Sequence, residues 1–183
     1  QSRGEMLQEM WNLLDEADVV MGWNSRSFDI KWIQGEFAVE KMPPPSPFKQ
    51  IDLMSEAKKN FRFLSNKLSY VSQRLLDDDK IDYNMAQMWI KVNNPETTEE
   101  ERKKEWNAML RYARKDTALL EPLFKELRPW IKIPHPVSSG ENLCRNCASP
   151  DLQPRGRALT LNGSYSRVVC GACGKWQRGS ERT

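Results

Sequence analysis

The stretch ADVVMGWNSRSFDIKWI, residues 17–33, decides the fold. Its apolar run at 19–23 is long enough for one buried strand and too short for an isolated helix. A polar break follows, and apolar residues then recur with charged residues between them, which predicts a helix capped by Ser25 or Ser27. Asp29 is therefore expected in the first turn of a helix, just past the carboxyl end of a strand, where open α/β sheets bind ligands. The alternative is that the helix dipole favours this carboxylate and that it has no other role.

The composition fits one globular domain followed by a small module. The 183 residues are 39% hydrophobic and include seven Trp, which is enough for a core and excludes a disordered chain. The sequence has no membrane-length apolar run and no signal-peptide pattern, so we expect a soluble, cytoplasmic protein without a membrane partner. Gln1 is not a start methionine, so we expect the chain to begin in mid-sequence.

The charge and the cysteines are concentrated at the end of the chain. Residues 140–183 hold seven Lys or Arg against three Asp or Glu, and they hold all four cysteines. A disulfide framework would be spread through a secreted fold, whereas this clustering points to a bound metal. The basic character and the metal chemistry therefore belong to one C-terminal segment.

The first 131 residues alternate helical and strand patterns before a long helical region. Residues 5–16 predict an amphipathic helix, and residues 48–54 predict a second strand that leads to a helix capped by Ser55. Asp52, within that strand, is interpreted as a strand-end polar residue, with support of a metal site as the alternative. Further helices are predicted from near Ser65, over Ile81–Val92, and from Thr97 or Thr98 through Leu127, with a solvated loop at Asp77–Asp79 and a linker that contains His135.

Tyr112 and Asp116 lie four residues apart within the last predicted helix and so share a face. Apolar neighbours suggest that Asp116 points toward the core, where a carboxylate must be paired or bound to a cation. The alternative is that Asp116 only closes a surface ion pair with Arg114 or Lys115.

Four segments resemble one known superfamily. GWNSRSFDIKWI resembles the second motif of the DEDD superfamily, the ribonuclease H-like 3′–5′ exonucleases, and YARKDTALLEPLF resembles the third motif of its tyrosine-containing subgroup. NKLSYVSQRLL and ELRPWI are similar to phage and bacterial members that carry a C-terminal zinc ribbon. The resemblance implies a ribonuclease H-like α/β fold and a bacterial cell or a phage-infected host.

The resemblance also implies a role for each matching residue. Asp29 and Asp116 would be ligands of a two-metal Mg²⁺ or Mn²⁺ site, and Tyr112 would orient the attacking water. Asn24 and Phe28 would contact the terminal nucleotide. We therefore expect catalysis by Asp29, Tyr112 and Asp116.

The first motif of the superfamily, Asp-x-Glu on the first strand, has no counterpart in the sequence. Only two strands are predicted before the linker, and two strands make a marginal sheet with open edges. We expect that an N-terminal segment with three strands and the first motif is missing from this chain, or that another polypeptide supplies it.

The C-terminal module, residues 142–183, follows a linker at 132–141 and contains two Cys-x-x-Cys pairs. Four thiolates in this spacing predict a structural Zn²⁺ site, with disulfides as the alternative. A hairpin with its turn at Asn162-Gly163 lies between the pairs. The module therefore resembles a zinc ribbon whose ligands are Cys144, Cys147, Cys170 and Cys173.

Basic and aromatic side chains in the ribbon predict a contact with nucleic acid. The side chains that could bind phosphates and stack on bases are Arg155, Arg157, Arg167, Lys175 and Arg178, with Tyr165 and Trp176 among them. Arg155, Arg157 and Trp176 are the residues assigned to the substrate. A solvated basic face or a docked protein is the alternative. The chain is thus predicted to be a metal-dependent 3′–5′ exonuclease, or else a catalytically silent protein that binds nucleic acid or a replication or repair protein.

Overall fold

A computed structural model of the chain describes residues 2–77, 84–133 and 142–182, and it confirms the α/β class. The first Asp of the predicted acidic loop is described, whereas Asp78, Asp79, residues 81–83 and His135 with most of the predicted linker lie outside these ranges. No helix in the described ranges is long and apolar enough to cross a lipid bilayer. In chain order the elements are α1 (Arg3–Glu16), β1 (Val19–Gly22), α2 (Asp29–Val39), β2 (Lys49–Asp52), α3 (Leu53–Asn60), α4 (Leu68–Leu76), α5 (Met85–Asn93), α6 (Glu99–Ala118), α7 (Leu120–Leu127), β3 (Leu152–Thr160), β4 (Gly163–Cys170) and β5 (Trp176–Arg182).

The first sheet consists of β1 and β2, which lie parallel with Met21 opposite Ile51. Parallel neighbours need a crossover connection, and α2 lies in that connection. Among the described residues before 134, these are the only two strands, in agreement with the sequence-based expectation. The end of β1 and the start of α2 therefore meet at the carboxyl edge of the sheet.

A small apolar core joins α1 to α2. Leu7 and Leu14 of α1 are buried with Ile30 and Phe37 of α2, and Phe37 is only 3% exposed. Each pair is separated by seven residues, or two helical turns, so its members lie on one face of their helix. Both helices thus bury only part of the predicted apolar stripe, since Met6, Leu13, Phe28 and Trp32 are exposed.

The predicted cap of α2 is wrong. The helix begins at Asp29 with Phe28 at the N-cap position, and neither Ser25 nor Ser27 caps it. The reason is a turn over residues 25–28, in which the Ser27 and Phe28 amides donate to the Asn24 carbonyl at 3.2 and 3.1 Å. Asp29 nevertheless occupies the first turn of the helix, as predicted.

The chain divides into two compact units, Gln1–Arg62 with Phe124–Thr183, and Phe63–Leu123. In the second unit, α4 begins at Leu68 rather than near Ser65, and α5 runs over Met85–Asn93.

The long helix predicted to run through Leu127 is two helices. α6 begins after Thr98, whose side chain forms a capping box with Glu101, but it ends at Ala118. Pro122 explains the break, because a proline lacks the backbone N–H and its ring clashes with the carbonyl four residues earlier, which here belongs to Ala118. α7 starts afresh at Leu120, so Pro122 lies in its first turn, where proline is tolerated.

The C-terminal sheet has three antiparallel strands in the order β3-β4-β5, one more than the predicted hairpin. Thr160 pairs with Gly163, so the turn is Leu161-Asn162 and lies one residue before the predicted Asn162-Gly163. β5 was not predicted because its sequence, WQRGSER, is polar after Trp176 and shows no apolar alternation.

The segment that follows α7 holds this sheet by polar contacts. The Lys175 ammonium donates to the Ile131 carbonyl at 2.6 Å, and the Arg128 guanidinium donates to the Asn146 carbonyl. Gly174 has a φ of +67°, a left-handed conformation that glycine adopts without strain. Through Lys175 and Asn146, the loops that contain the cysteines therefore contact the segment that follows α7.

Candidate functional site

The chain turns sharply between β1 and α2. A Cβ on Gly22 would lie 2.4 Å from the Cβ of Ser25, so only glycine allows this close approach. Asn24 has a φ of +64°, in the left-handed region that asparagine tolerates better than most residues. The resemblance implies that Asn24 contacts the terminal nucleotide, and its backbone conformation favours asparagine for a structural reason as well.

Asp52 holds this turn from the neighbouring strand. Its Oδ1 accepts hydrogen bonds from the amides of Asn24 at 3.1 Å and Ser55 at 3.0 Å, and its Oδ2 accepts one from the Arg26 amide at 3.2 Å. The carboxylate is 1% exposed and also caps α3, which corrects the predicted cap Ser55. Asp52 therefore lies at the strand end, as predicted, and it positions the turn that precedes Asp29.

Asp29 and Phe28 are exposed at the start of α2, whereas Asn24 is half-buried. A carboxylate in the first turn of a helix lies near the positive end of the helix dipole and is available to a ligand from solvent. The structure therefore brings Asn24, Phe28 and Asp29 into one short segment at the carboxyl end of β1.

Tyr112 and Asp116 form a hydrogen-bonded pair on α6. Burial raises the pKa of the Asp116 carboxyl, although the Tyr112 hydrogen bond and the charge of Lys115 act in the opposite direction. Burial and the neighbouring Asp116 carboxylate raise the pKa of the Tyr112 hydroxyl, which therefore keeps its proton as a donor. This pair belongs to the unit Phe63–Leu123, and Asp29 belongs to the other unit.

The four cysteines lie together, with all four sulfur atoms within 4.8 Å of one another. Cys144 and Cys173 have their sulfurs 3.7 Å apart, and those of Cys147 and Cys170 are 3.6 Å apart. A tetrahedral Zn²⁺ with Zn–S bonds of about 2.3 Å needs sulfurs about 3.8 Å apart. The four thiols could therefore hold a metal ion, and their separations fit zinc.

Hydrogen bonds prepare one of these cysteines for metal binding, which requires the thiolate. The Asn146 side chain donates to the Cys173 sulfur at 3.3 Å. Burial raises the pKa of the Cys173 thiol, but hydrogen bonds from Asn146, the Lys175 amide and the thiols of Cys147 and Cys144 together outweigh it and bring the pKa to about 7.

A second feature of the C-terminal sheet is a basic and aromatic face, which we call the Trp176 face and define as Tyr165, Arg167, Trp176 and Arg178. The Arg167 guanidinium lies 5.0 Å from the Trp176 ring centre, and the Arg178 guanidinium lies 4.2 Å from the Tyr165 ring centre. Arg167 and Arg178 are directly opposite each other on β4 and β5. Like charges in this position repel, so an anion bound between them would be stabilised.

The sequence-predicted ribbon residues divide between the two faces of this sheet. Trp176 is 51% exposed, and the carbonyl of Arg155 accepts a hydrogen bond from Arg167 at 3.1 Å. Arg157 pairs with Ser166, which alternates with Arg167 along β4, so its side chain lies on the opposite face. Arg167 and Arg178 thus lie closer to Trp176 than Arg157 does in the register of the strands.

Asp52 was undervalued in the sequence, although a signal was present. Asp is one of the residues preferred at a helix N-cap, and Asp52 stands directly before α3. Its bonds to the amides of Asn24 and Arg26 join residues 28 and 26 positions apart, and no local pattern predicts them.

Comparison with known protein families gives a match for the part of the chain that contains α1 to α7. The family model of the RNase H superfamily matches residues 1–128. Comparison with curated protein sequences gives no match. The superfamily consists mostly of nucleases, which supports an activity on nucleic acid. With most of its length matched by this model, the chain belongs to the RNase H superfamily.

Proposed function

We propose that this chain is a metal-dependent 3′–5′ exonuclease that hydrolyses phosphodiester bonds of DNA or RNA. The observation that carries the proposal is the hydrogen-bonded pair Tyr112 and Asp116 on α6, in a chain of the RNase H superfamily. Tyr-x-x-x-Asp on a helix is the third motif that the sequence resembles. Direction of cleavage and the two-metal chemistry follow from that resemblance.

The resemblance gives each candidate residue a role. Asp29 and Asp116 would bind Mg²⁺ or Mn²⁺, which supply charge stabilisation for the entering and leaving oxygens. Burial disfavours the charged form of Asp116, and a cation beside it would compensate for that cost. Tyr112 would orient the attacking water through its hydroxyl, while Asn24 and Phe28 would contact the terminal nucleotide.

The ribbon would hold zinc and the incoming strand. The sulfur separations support Zn²⁺ as the ion of Cys144, Cys147, Cys170 and Cys173. The sequence assigns Arg155, Arg157 and Trp176 to the substrate, and the paired guanidinium groups favour the Trp176 face for phosphate binding.

Cleavage of a 5′-labelled single-stranded oligonucleotide in Mg²⁺ or Mn²⁺ tests the activity. We expect products that shorten from the 3′ end, and we expect Asp116→Asn to reduce cleavage to background. Glu100→Gln, an exposed carboxylate of the same helix, is the matched control and should cleave like the unaltered chain. Shortening from the 5′ end would contradict the proposed direction, and equal activity of Asp116→Asn would contradict the assigned site.

One alternative is a catalytically silent scaffold that binds nucleic acid or a replication or repair protein. The same assay on an N-terminally extended form, or with a polypeptide that supplies the Asp-x-Glu motif, separates the two functions. Cleavage that appears only with the added motif supports the exonuclease. Salt-sensitive binding without cleavage in every form supports the silent scaffold.

A further inference from the structure

Two large aromatic side chains are exposed to solvent at the start of α2, one at its N-cap position and one on its outer face. Phe28 and Trp32 are 57% and 63% exposed, and their rings pack edge to face with centres 6.4 Å apart. They lie four residues apart and so share a face of the helix. The core of α2 is formed by Ile30 and Phe37, so Phe28 and Trp32 are not members of the buried cluster.

A groove lies beside the Trp32 indole, with a volume of about 430 Å³. A Cβ on Gly35 would have no neighbour within 4 Å, so the helix backbone is open to a ligand there. Lys31 contributes an ammonium group to the groove, and Glu36, also in its lining, already pairs with Arg3. The groove thus combines an aromatic surface, an open backbone and a cation.

These features lie next to the proposed metal ligand Asp29. Trp32 is three residues from Asp29 on the same helix, and positions three apart are neighbours on a helix surface. An aromatic ring accepts any nucleobase by stacking, and an adjacent lysine binds phosphate as a point charge. A small, planar and anionic ligand would match the groove better than an apolar protein segment would.

We propose that Trp32, supported by the edge of Phe28, stacks on a nucleobase of the substrate strand and that Lys31 binds the adjoining phosphate. This inference rests on the proposed function, since it takes nucleic acid as the ligand of the Asp29 segment. Trp32 is then a positioning residue that holds the strand near Asp29.

Binding of a short fluorescent single-stranded oligonucleotide, measured by anisotropy in EDTA, tests the inference without requiring cleavage. We expect Trp32→Ala to weaken binding about tenfold to a hundredfold, the usual cost of one lost stacked base, and Trp32→Phe to restore most of it. Trp130→Ala is the matched control, because Trp130 is equally exposed, at 64%, but packs against Phe61.

The salt dependence tests Lys31 separately. We expect Lys31→Gln to reduce the slope of log affinity against log salt by about one, and Lys58→Gln, on the exposed surface of α3, to leave it unchanged.

Each outcome of these titrations decides the inference. Equal affinity of Trp32→Ala and the unaltered chain would overturn it, as would the absence of any binding. If Trp32→Ala binds the oligonucleotide as tightly as the unaltered chain does but sediments differently from it, another protein molecule rather than nucleic acid covers this face. If Trp32→Ala weakens oligonucleotide binding but the unaltered chain does not cleave the oligonucleotide, only the nuclease proposal is contradicted.

Discussion

The α1–α2 region and the C-terminal ribbon keep their shape by different means. In α1 and α2 the buried side chains are large and apolar, namely Leu7, Leu14, Ile30 and Phe37. In the described residues of the ribbon, the buried hydrophobic side chains are Val168 and the two cysteines Cys144 and Cys170. One region is held by burial of apolar surface, and the other has four thiols where a core would be.

This difference predicts which perturbation should destabilise each region. A segment of this size buries too little apolar surface to fold alone, so it needs a metal or disulfides. The sulfurs of Cys144 and Cys173 are 3.7 Å apart and those of Cys147 and Cys170 are 3.6 Å apart, which are metal-ligand separations rather than disulfide bonds of about 2.05 Å. Metal removal should therefore affect the ribbon, and core truncation should affect α1 and α2.

If the four cysteines hold zinc, as we propose, removal of the metal should have the largest effect. Structural zinc contributes about 10–16 kcal/mol to folding in zinc-finger peptides, far more than one side chain can. We expect a strong chelator, or Cys170→Ser, to expose the amides of β3, β4 and β5 to hydrogen exchange while α1 and α2 stay protected. Mass spectrometry of the exchanged peptides measures both regions in one sample.

Re-addition of Zn²⁺ after chelation is the control and should restore protection in the ribbon. Unchanged protection of β4 without metal would show that the ribbon has a stability source other than its cysteines.

Truncation of the core should have the next largest effect. Phe37→Ala should lower the free energy of unfolding by about 3–5 kcal/mol, because it leaves a cavity in the cluster of α1 and α2. Urea denaturation followed by tryptophan fluorescence measures the change. Met6→Ala, at an exposed site in α1, should change stability by less than about 0.5 kcal/mol.

The Phe37→Ala variant should bind the same amount of zinc as the unaltered chain, measured on both purified proteins. Loss of zinc from Phe37→Ala together with the loss of core stability would contradict the view that the two regions are stabilised by different means.

Local patterns predicted the features that depend on neighbouring residues. β1, the helices α1 and α2, a cap at Thr98 as one of two candidates and the cysteine pairs follow from period or spacing. Pro122 was also readable, since a proline inside a helical pattern predicts the break after α6. Asp29 in a first helical turn and Tyr112 beside Asp116 follow from the same local rules.

Long-range contacts could not be predicted in this way. Asp52 bonds to the turn after β1 only because β1 and β2 lie side by side, and nothing in the sequence between them encodes those bonds. β5 depends on pairing with β4 rather than on apolar alternation, and this pairing assembles the Trp176 face. The residues that position a site were therefore harder to predict than the residues that form it.

Neutralising Asp52 should have an intermediate effect on the first region. In Asp52→Asn, an NH₂ group replaces one carboxylate oxygen and faces a backbone donor, so at least one of the three amides loses its acceptor. We expect a loss of about 1–3 kcal/mol of unfolding free energy, since the lost bonds are to a charged group. Urea denaturation measures the loss, and Asp18→Asn, at an exposed site before β1, is the control.

Faster hydrogen exchange at Asn24 and Arg26 should accompany the loss of stability. An equal loss in Asp18→Asn would show that net charge, rather than the Asp52 hydrogen bonds, is responsible.

The smallest effect should be at the surface of the ribbon, where no core is disturbed. Arg167 lies over Trp176 and opposite Arg178, whereas Arg157 lies on the other face of the same sheet. If the Trp176 face binds the strand, Arg167→Ala should reduce the slope of log affinity against log salt by about one, and Arg157→Ala should reduce it less. Titration of a single-stranded oligonucleotide at several salt concentrations compares the two variants. Equal slopes for Arg167→Ala and Arg157→Ala would favour diffuse attraction over a defined face, because screening by charge alone does not distinguish the two sides of a sheet.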